Sequence, residues 1–185
     1  GYAGIGRGDE KAADQLAVDA MRTALNSLDI DGKIVIGEGE RDEAPMLYIG
    51  EKVGTGKGPA IDIALDPLEG TTLTAKAMAN ALCVLSMSPG GGMLHAPDTY
   101  MDKIAIGPGF APGTVDLDMK PQDNVRSLAS AKGVKPSDIT VCVMDRPRHA
   151  ELIAALREVG AKVVLITDGE LSGVIHTAEP ETGID

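Results

Sequence analysis

A chain of 185 residues with 28 acidic and 17 basic side chains has a formal net charge of −11, which argues against a nucleic-acid or anionic-membrane partner. With 43% apolar residues it is an ordinary soluble globular sequence, long enough to bury a core as one domain or as two small lobes. One Phe, three Tyr and no Trp leave no platform for stacking bases, and the longest clean apolar run, Ala81 to Met87, is far short of the ~20 residues a membrane span needs.

Taken in order, Gly6-Arg7-Gly8-Asp9 opens on an N-cap, Asp9. Ala13, Leu16, Ala17, Ala20, Met21, Ala24, Leu25 and Leu28 then recur at helical spacing, which predicts an amphipathic helix over residues 10 to 28. Asp14 stands at the edge of that stripe, near the buried face. Asp31-Gly32 turns the chain into the apolar strand Lys33-Ile34-Val35-Ile36. The strand runs into Gly37-Glu38-Gly39-Glu40-Arg41-Asp42-Glu43, four carboxylates within six residues. Like charges so crowded repel unless cations bind between them or water screens them, so the segment is either a cation site or a solvated acidic turn.

Residues 44 to 53 read as a helix or a mixed segment. Gly54-Thr55-Gly56-Lys57-Gly58-Pro59 reads as a turn, since it lacks the Gly-Lys-Ser/Thr ending of a phosphate-cradling loop. Ile61-Asp62-Ile63-Ala64-Leu65 is a buried strand that should end where Pro67 pushes the chain out of the sheet, leaving Asp66 as a carboxylate at a strand end. Glu69 follows, Gly70 lets the backbone turn, and Thr71 and Thr72 open a short helix expected to reach about Asn80. Two carboxylates beside free helix N–H groups can hold hard cations and receive a phosphate; the plainer alternative is a strand-turn-helix joint with an acidic cap.

A strand over Ala81 to Met87, a reversal at Pro89-Gly90-Gly91-Gly92 and a returning strand near Tyr100 to Gly107 come next. From Pro121 the pattern becomes helix 121–132, strand 138–145, helix 147–159, strand 162–167 and short helix 170–177, a βαβ unit with a parallel strand pair. A lobe boundary near residue 120 follows, dividing 1–120 from 121–185. Ligands gather at the carboxyl ends of such strands. Arg146-Pro147-Arg148-His149 occupies one of those ends, where two guanidinium forks beside a helix start would clamp phosphate or simply form a charged loop. Asp168-Gly169-Glu170 occupies the other. The two cysteines, Cys83 and Cys142, sit in apolar runs and are expected to be buried reduced thiols, which suits a cytoplasmic protein. His95, His149 and His176 have no metal-ligand spacing, and carboxylates alone point to Mg²⁺ or Mn²⁺.

Ile36-Gly37-Glu38-Gly39-Glu40-Arg41-Asp42-Glu43-Ala44-Pro45-Met46-Leu47-Tyr48-Ile49-Gly50, followed by Asp66-Pro67-Leu68-Glu69-Gly70-Thr71, resembles the class II fructose-1,6-bisphosphatases. These belong to the lithium-sensitive sugar phosphatases, with the inositol monophosphatases. The resemblance covers essentially the whole chain. It implies an α/β fold of mixed α+β character, a layered αβαβα sandwich with an N-terminal metal-binding lobe and the start of a βαβ substrate-binding lobe. It implies Asp14 and Glu38 on one divalent metal and Asp66 and Glu69 on another, Mn²⁺ or Mg²⁺. Glu40 and Asp42 would orient or deprotonate the attacking water. Glu69, Gly70, Thr71, Tyr100, Arg146, Pro147, Arg148, Asp168, Gly169 and Glu170 would contact the substrate.

The reaction so implied is hydrolysis of the 1-phosphate of fructose 1,6-bisphosphate to fructose 6-phosphate in gluconeogenesis, with sedoheptulose 1,7-bisphosphate a further substrate of some relatives. A homo-oligomeric cytoplasmic enzyme is expected, with neither a nucleic-acid nor a membrane partner. The alternatives are another phosphomonoesterase of the inositol monophosphatase type, or a phosphosugar-binding protein without turnover. The family has Lys directly after Gly-Arg-Gly-Asp, whereas here Glu10 intervenes and Lys11 follows. Family members also continue past the equivalent of Asp185 into a glycine-rich segment with a further Glu ligand, so the chain is expected to be a fragment with an unclosed site.

Overall fold

The computed structural model describes residues 1–39, 46–94, 96–97 and 99–185, and the chain divides into two compact units, Gly1–Thr99 and Tyr100–Asp185. The first unit is one layer of helix on a four-stranded sheet. Helix α1 (Glu10–Asn26) starts at Asp9, whose side chain accepts from the Ala12 amide at 3.0 Å. Strands β1 (Asp31–Ile36), β2 (Lys52–Val53), β3 (Ala60–Glu69) and β4 (Leu82–Pro89) are ordered β2-β1-β3-β4; β1 and β3 are parallel, and the outer pairs are antiparallel. The core joins Val18 and Leu25 of α1 to Ile34, Leu47, Val53, Ile63 and Leu65.

Strand β3 does not end at Asp66. It continues through Pro67 to Glu69, but its register against β4 slips: Asp66 pairs with Val84 and Glu69 with Leu82, three steps on β3 against two on β4. Proline has no N–H to give the ladder, so one extra residue is accommodated as a bulge. Cross-strand partners face the same side, and Val84 and Leu82 are two apart, so Asp66 and Glu69 share a face although an unbroken strand would set them on opposite ones. The complementary face bears this out. Leu65 packs with Val18 and Leu25, and Leu68 packs with Ala13 and Ala17, all four partners being on α1.

The second unit holds α3 (Pro121–Lys132), β5 (Thr140–Met144), α4 (Ala150–Glu158), β6 (Lys162–Ile166) and α5 (Glu170–Thr177); helix α2 (Thr71–Ala75) belongs to the first. Strands β5 and β6 are parallel and α4 connects them, the βαβ unit expected. Pro121 at the first helical position and Gly133 at φ 69° bound α3. Its core is Val125, Leu128, Ala129, Ile139, Val143, Ile153, Leu156 and Ala161, with Ile106, Phe110 and Val115 packed against it.

Those last three residues explain why the division falls after Thr99 and not near residue 120: the segment after Tyr100 gives its apolar side chains to the second core. Residues 100–107 form no strand, since Ile104 and Ile106 are their only alternating apolar pair and no ladder partner is met. Helix α2 stops at Ala75, because Ala77 and Asn80 take positive φ and break the helix. Residues 46 to 51 form turns without helix. Cys83 is exposed where a buried thiol was expected, because β4 pairs on one side only; Cys142 is half-buried, and both are free. Among the described residues no helix is long and apolar enough to cross a membrane.

Candidate metal and phosphate site

The carboxyl ends of the parallel strands β1 and β3 carry Glu38, Asp66 and Glu69, and α1 carries Asp14. Glu38 lies two residues beyond β1, partly buried, with its amide donating to the Leu47 carbonyl at 3.0 Å. Its carboxyl is pushed up from 4.5 to about 7, first by burial, then by the negative charges of Asp14 and Asp66. Asp14, on the second turn of α1, is itself raised by burial. Three carboxylates from a helix and two strands are thus electrostatically in reach of one another. Asp66 accepts from the Leu68 amide at 3.0 Å through Oδ1, which fixes its side chain across the bulge. Glu69 closes β3 with its carboxylate buried and Oε2 sealed from solvent.

Gly70 takes φ 94° between Glu69 and α2, and a side chain there would meet Leu73 at 3.0 Å and the Ala81 backbone at 3.3 Å. Thr71 follows as the first residue of α2, half-buried. Among the described residues, no three His, Cys, Asp or Glu side chains stand in ligating geometry as they lie. The donor set still has the chemistry of a hard divalent cation site: carboxylate oxygens only, from α1 and two adjacent strand ends, with the Glu38 carboxyl raised by burial and by the charges of Asp14 and Asp66. Glu40 and Asp42 lie outside the described residues.

The second unit carries the basic group. Arg146 follows β5 and donates through Nη1 to the Thr167 carbonyl at 2.6 Å and the Asp145 carbonyl at 3.2 Å, so its guanidinium ties the ends of β5 and β6 together. Pro147 opens a 3-10 turn, and Arg148 lies over the Tyr100 ring with Cζ 4.5 Å from the centroid. His149 sets Nδ1 2.8 Å from the Met144 carbonyl, a local tie at the start of α4. Beyond β6, Gly169 at φ 82° turns the chain from Asp168 into α5. Glu170, the first residue of α5, is ion-paired with Lys103 at 3.1 Å. The structure brings Asp14, Glu38 and Asp66 together in one unit, and Tyr100 and Arg148 together in the other.

Reading the sequence missed Arg22 and Glu51. Glu51 is 5% exposed, ion-paired with Arg22 Nε at 2.7 Å, and accepts from the Leu47 amide. Local spacing carries no signal for the pair, because Arg22 lies 29 residues earlier, on α1. The Tyr100–Arg148 contact was also unforeseen, because nothing in local spacing links residues so far apart.

The sequence profile described as "Bacterial fructose-1,6-bisphosphatase, glpX-encoded" matches residues 1–185. The chain is 52% identical over 185 residues to fructose-1,6-bisphosphatase 1 class 2 of Escherichia coli (strain K12), covering 100% of this chain and 55% of that protein. The same figures hold for fructose-1,6-bisphosphatase class 2 of Shigella flexneri. It is 50% identical over 192 residues to the D-fructose 1,6-bisphosphatase class 2/sedoheptulose 1,7-bisphosphatase of Synechococcus sp. (strain JA-3-3Ab), covering 97% of this chain and 55% of that protein. The chain therefore spans little more than half the length of these relatives.

Proposed function

Because the chain belongs to the glpX-encoded bacterial fructose-1,6-bisphosphatases, we propose that its protein hydrolyses the 1-phosphate of fructose 1,6-bisphosphate, giving fructose 6-phosphate and phosphate in gluconeogenesis. The observation that carries this reading is the family match over residues 1–185 together with the carboxylate group centred on Glu38. A bound divalent cation, Mn²⁺ or Mg²⁺, would supply Lewis acidity to activate water and to neutralise the leaving alkoxide. Asp14, Glu38, Asp66 and Glu69 are the residues that would hold it. Phosphate monoesters demand accelerations up to ~10²¹, more than acid–base chemistry alone, at ~10²–10⁴, provides.

Burial, then the charges of Asp14 and Asp66, bring the Glu38 carboxyl to about 7, and a cation would draw it to the ionised form. Glu40 and Asp42 orient or deprotonate the attacking water. Glu69, Gly70 and Thr71 receive the phosphate where the backbone turns into α2. Tyr100, Arg146, Pro147, Arg148, Asp168, Gly169 and Glu170 contact the substrate. Tyr100 and Arg148 do so as a stacked pair that limits each other's rotamers, and Arg146 is already oriented by two carbonyls. We place the enzyme in the cytoplasm as a homo-oligomer, where free thiols such as Cys83 stay reduced.

The test is phosphate release from fructose 1,6-bisphosphate with Mn²⁺, run on the full-length protein and on residues 1–185 side by side, with sedoheptulose 1,7-bisphosphate as second substrate. The full-length protein is expected to turn over, and the shorter chain to bind metal and phosphate weakly with little or no hydrolysis. No release from fructose 1,6-bisphosphate by the full-length protein, with release from an inositol monophosphate, would move the reading to the neighbouring phosphatase class.

A further inference from the structure

Residues 37–39, which carry Glu38, have no regular element of their own, and their position is set by the turn segment at 47–49. The Glu38 amide donates to the Leu47 carbonyl at 3.0 Å and the Ile49 amide to the Gly39 carbonyl at 3.0 Å. Gly37 lies so close that a Cβ there would stand 2.1 Å from the Leu47 carbonyl oxygen. Leu47 itself is fully buried at φ 56°, a left-handed conformation that an L-residue keeps only when its surroundings hold it.

What holds it is a carboxylate. Glu51 accepts from the Leu47 amide through Oε2 and from Arg22 Nε through Oε1 at 2.7 Å, and its side chain is only 6% exposed. A carboxylate so buried persists where its charge is paired and its lone pairs are taken, and Arg22 and the Leu47 amide do both. Arg22 stands on α1 eight residues after Asp14, about 12 Å further along the same helix. One rigid element thus presents Asp14 directly and, by way of Arg22, Glu51 and Leu47, fixes the backbone on which Glu38 is mounted.

We infer that Arg22 and Glu51 are positioning residues for the metal site, setting the place of Glu38 relative to Asp14 by holding the Leu47 backbone. The inference rests on the reading of Glu38 as a metal ligand. Without the latch, the Leu47 amide loses its acceptor, the left-handed turn relaxes, and the Glu38 carboxylate samples positions that do not meet a cation shared with Asp14. Neither residue is among the ligands and substrate contacts named above.

Mn²⁺ binding to residues 1–185 is titrated by electron paramagnetic resonance for the parent chain and for Glu51→Ala, Arg22→Gln, Glu38→Gln and Leu25→Ala, with amide hydrogen exchange read at Glu38 and Ile63. Glu51→Ala and Arg22→Gln are each expected to weaken Mn²⁺ about tenfold and to speed exchange at the Glu38 amide selectively over Ile63. Leu25→Ala truncates the same core with the latch in place, and should lower the melting temperature yet keep Mn²⁺ affinity within about twofold. Arg22 is half-exposed, so its variant carries the test should Glu51→Ala not fold. Parent-like Mn²⁺ affinity in the folded latch variants, with Glu38→Gln weakened, overturns the inference and leaves the metal reading standing. An equal loss in Leu25→Ala also overturns it, since general loosening would then account for the effect. Unchanged affinity in Glu38→Gln overturns both.

Discussion

Replacing Glu38 by Gln should make the metal-free chain more stable, not less. Burial, then Asp14, then Asp66 raise the Glu38 carboxyl from 4.5 to about 7 in the folded chain. The folded state therefore binds this proton more tightly than the unfolded state does. Stability is unaffected below about pH 4.5, where both states are protonated. It falls as pH rises through the interval to about 7, and the whole penalty is present above that. A rise from 4.5 to about 7 corresponds to ~3.4 kcal/mol. Glu38 keeps part of its surface in water, and screening brings the expected penalty to about 1–2 kcal/mol.

Gln keeps the shape and removes the charge, so with a chelator present Glu38→Gln should exceed the parent by that amount at pH 8 and match it near pH 4. Urea unfolding followed by circular dichroism measures both. Excess Mn²⁺ should reverse the order, because a cation bound at ~100 times its dissociation constant stabilises the parent by ~2.7 kcal/mol. A variant equal to or weaker than the parent at pH 8 without metal would refute the electrostatic account of the site.

Asp66→Asn keeps an oxygen for the Leu68 amide while losing the charge, so calorimetry should show Mn²⁺ affinity lowered ~10-fold or more, about 1.4 kcal/mol, with the melting temperature little changed. Asp42→Asn in the full-length enzyme should lower kcat with KM largely intact, as expected of a group acting on the water; a loss confined to KM would make it a binding group. Ile63→Ala empties a fully buried position between β1 and β4 and should cost ~2–5 kcal/mol in urea unfolding. Gly58→Ala would set a Cβ 1.6 Å from the Asp29 carbonyl oxygen, and moving that turn should cost ~2 kcal/mol or more.

Helix α1 was legible because its stripe repeats at the helical period over many residues, and only its last turn frayed short of Leu28. The βαβ unit was legible for the same reason, its apolar runs being bounded by Pro121, Gly133 and Gly169. The strand end at Asp66 was misplaced because a proline normally stops a ladder, whereas here the ladder steps around it and resumes at Glu69. Tyr100 to Gly107 looked like strand on apolar content, yet Ile106 is committed to a core that only tertiary folding reveals. Glu38, Asp66 and Glu69 stand out in the sequence by residue type and spacing, and the structure sets Asp14 and Asp66 near enough to Glu38 to raise its carboxyl. The latch at Glu51 does not stand out, since a buried charge is recognisable only once its partner from α1 is seen beside it.

The extra residue in β3 has a consequence for how this sequence can change. Deleting either Pro67 or Leu68 would leave two steps opposite two, so Glu69 would still pair with Leu82 and keep its face. Flattening the bulge with all four residues kept would instead turn Glu69 toward α1 and send α2 off from the wrong side of the sheet. A residue with an N–H in place of Pro67 opens that second route, because it can rejoin the ladder one step out of phase. The stretch can therefore lose a residue more safely than it can lose its proline, which keeps the alternation in phase by what it is unable to donate.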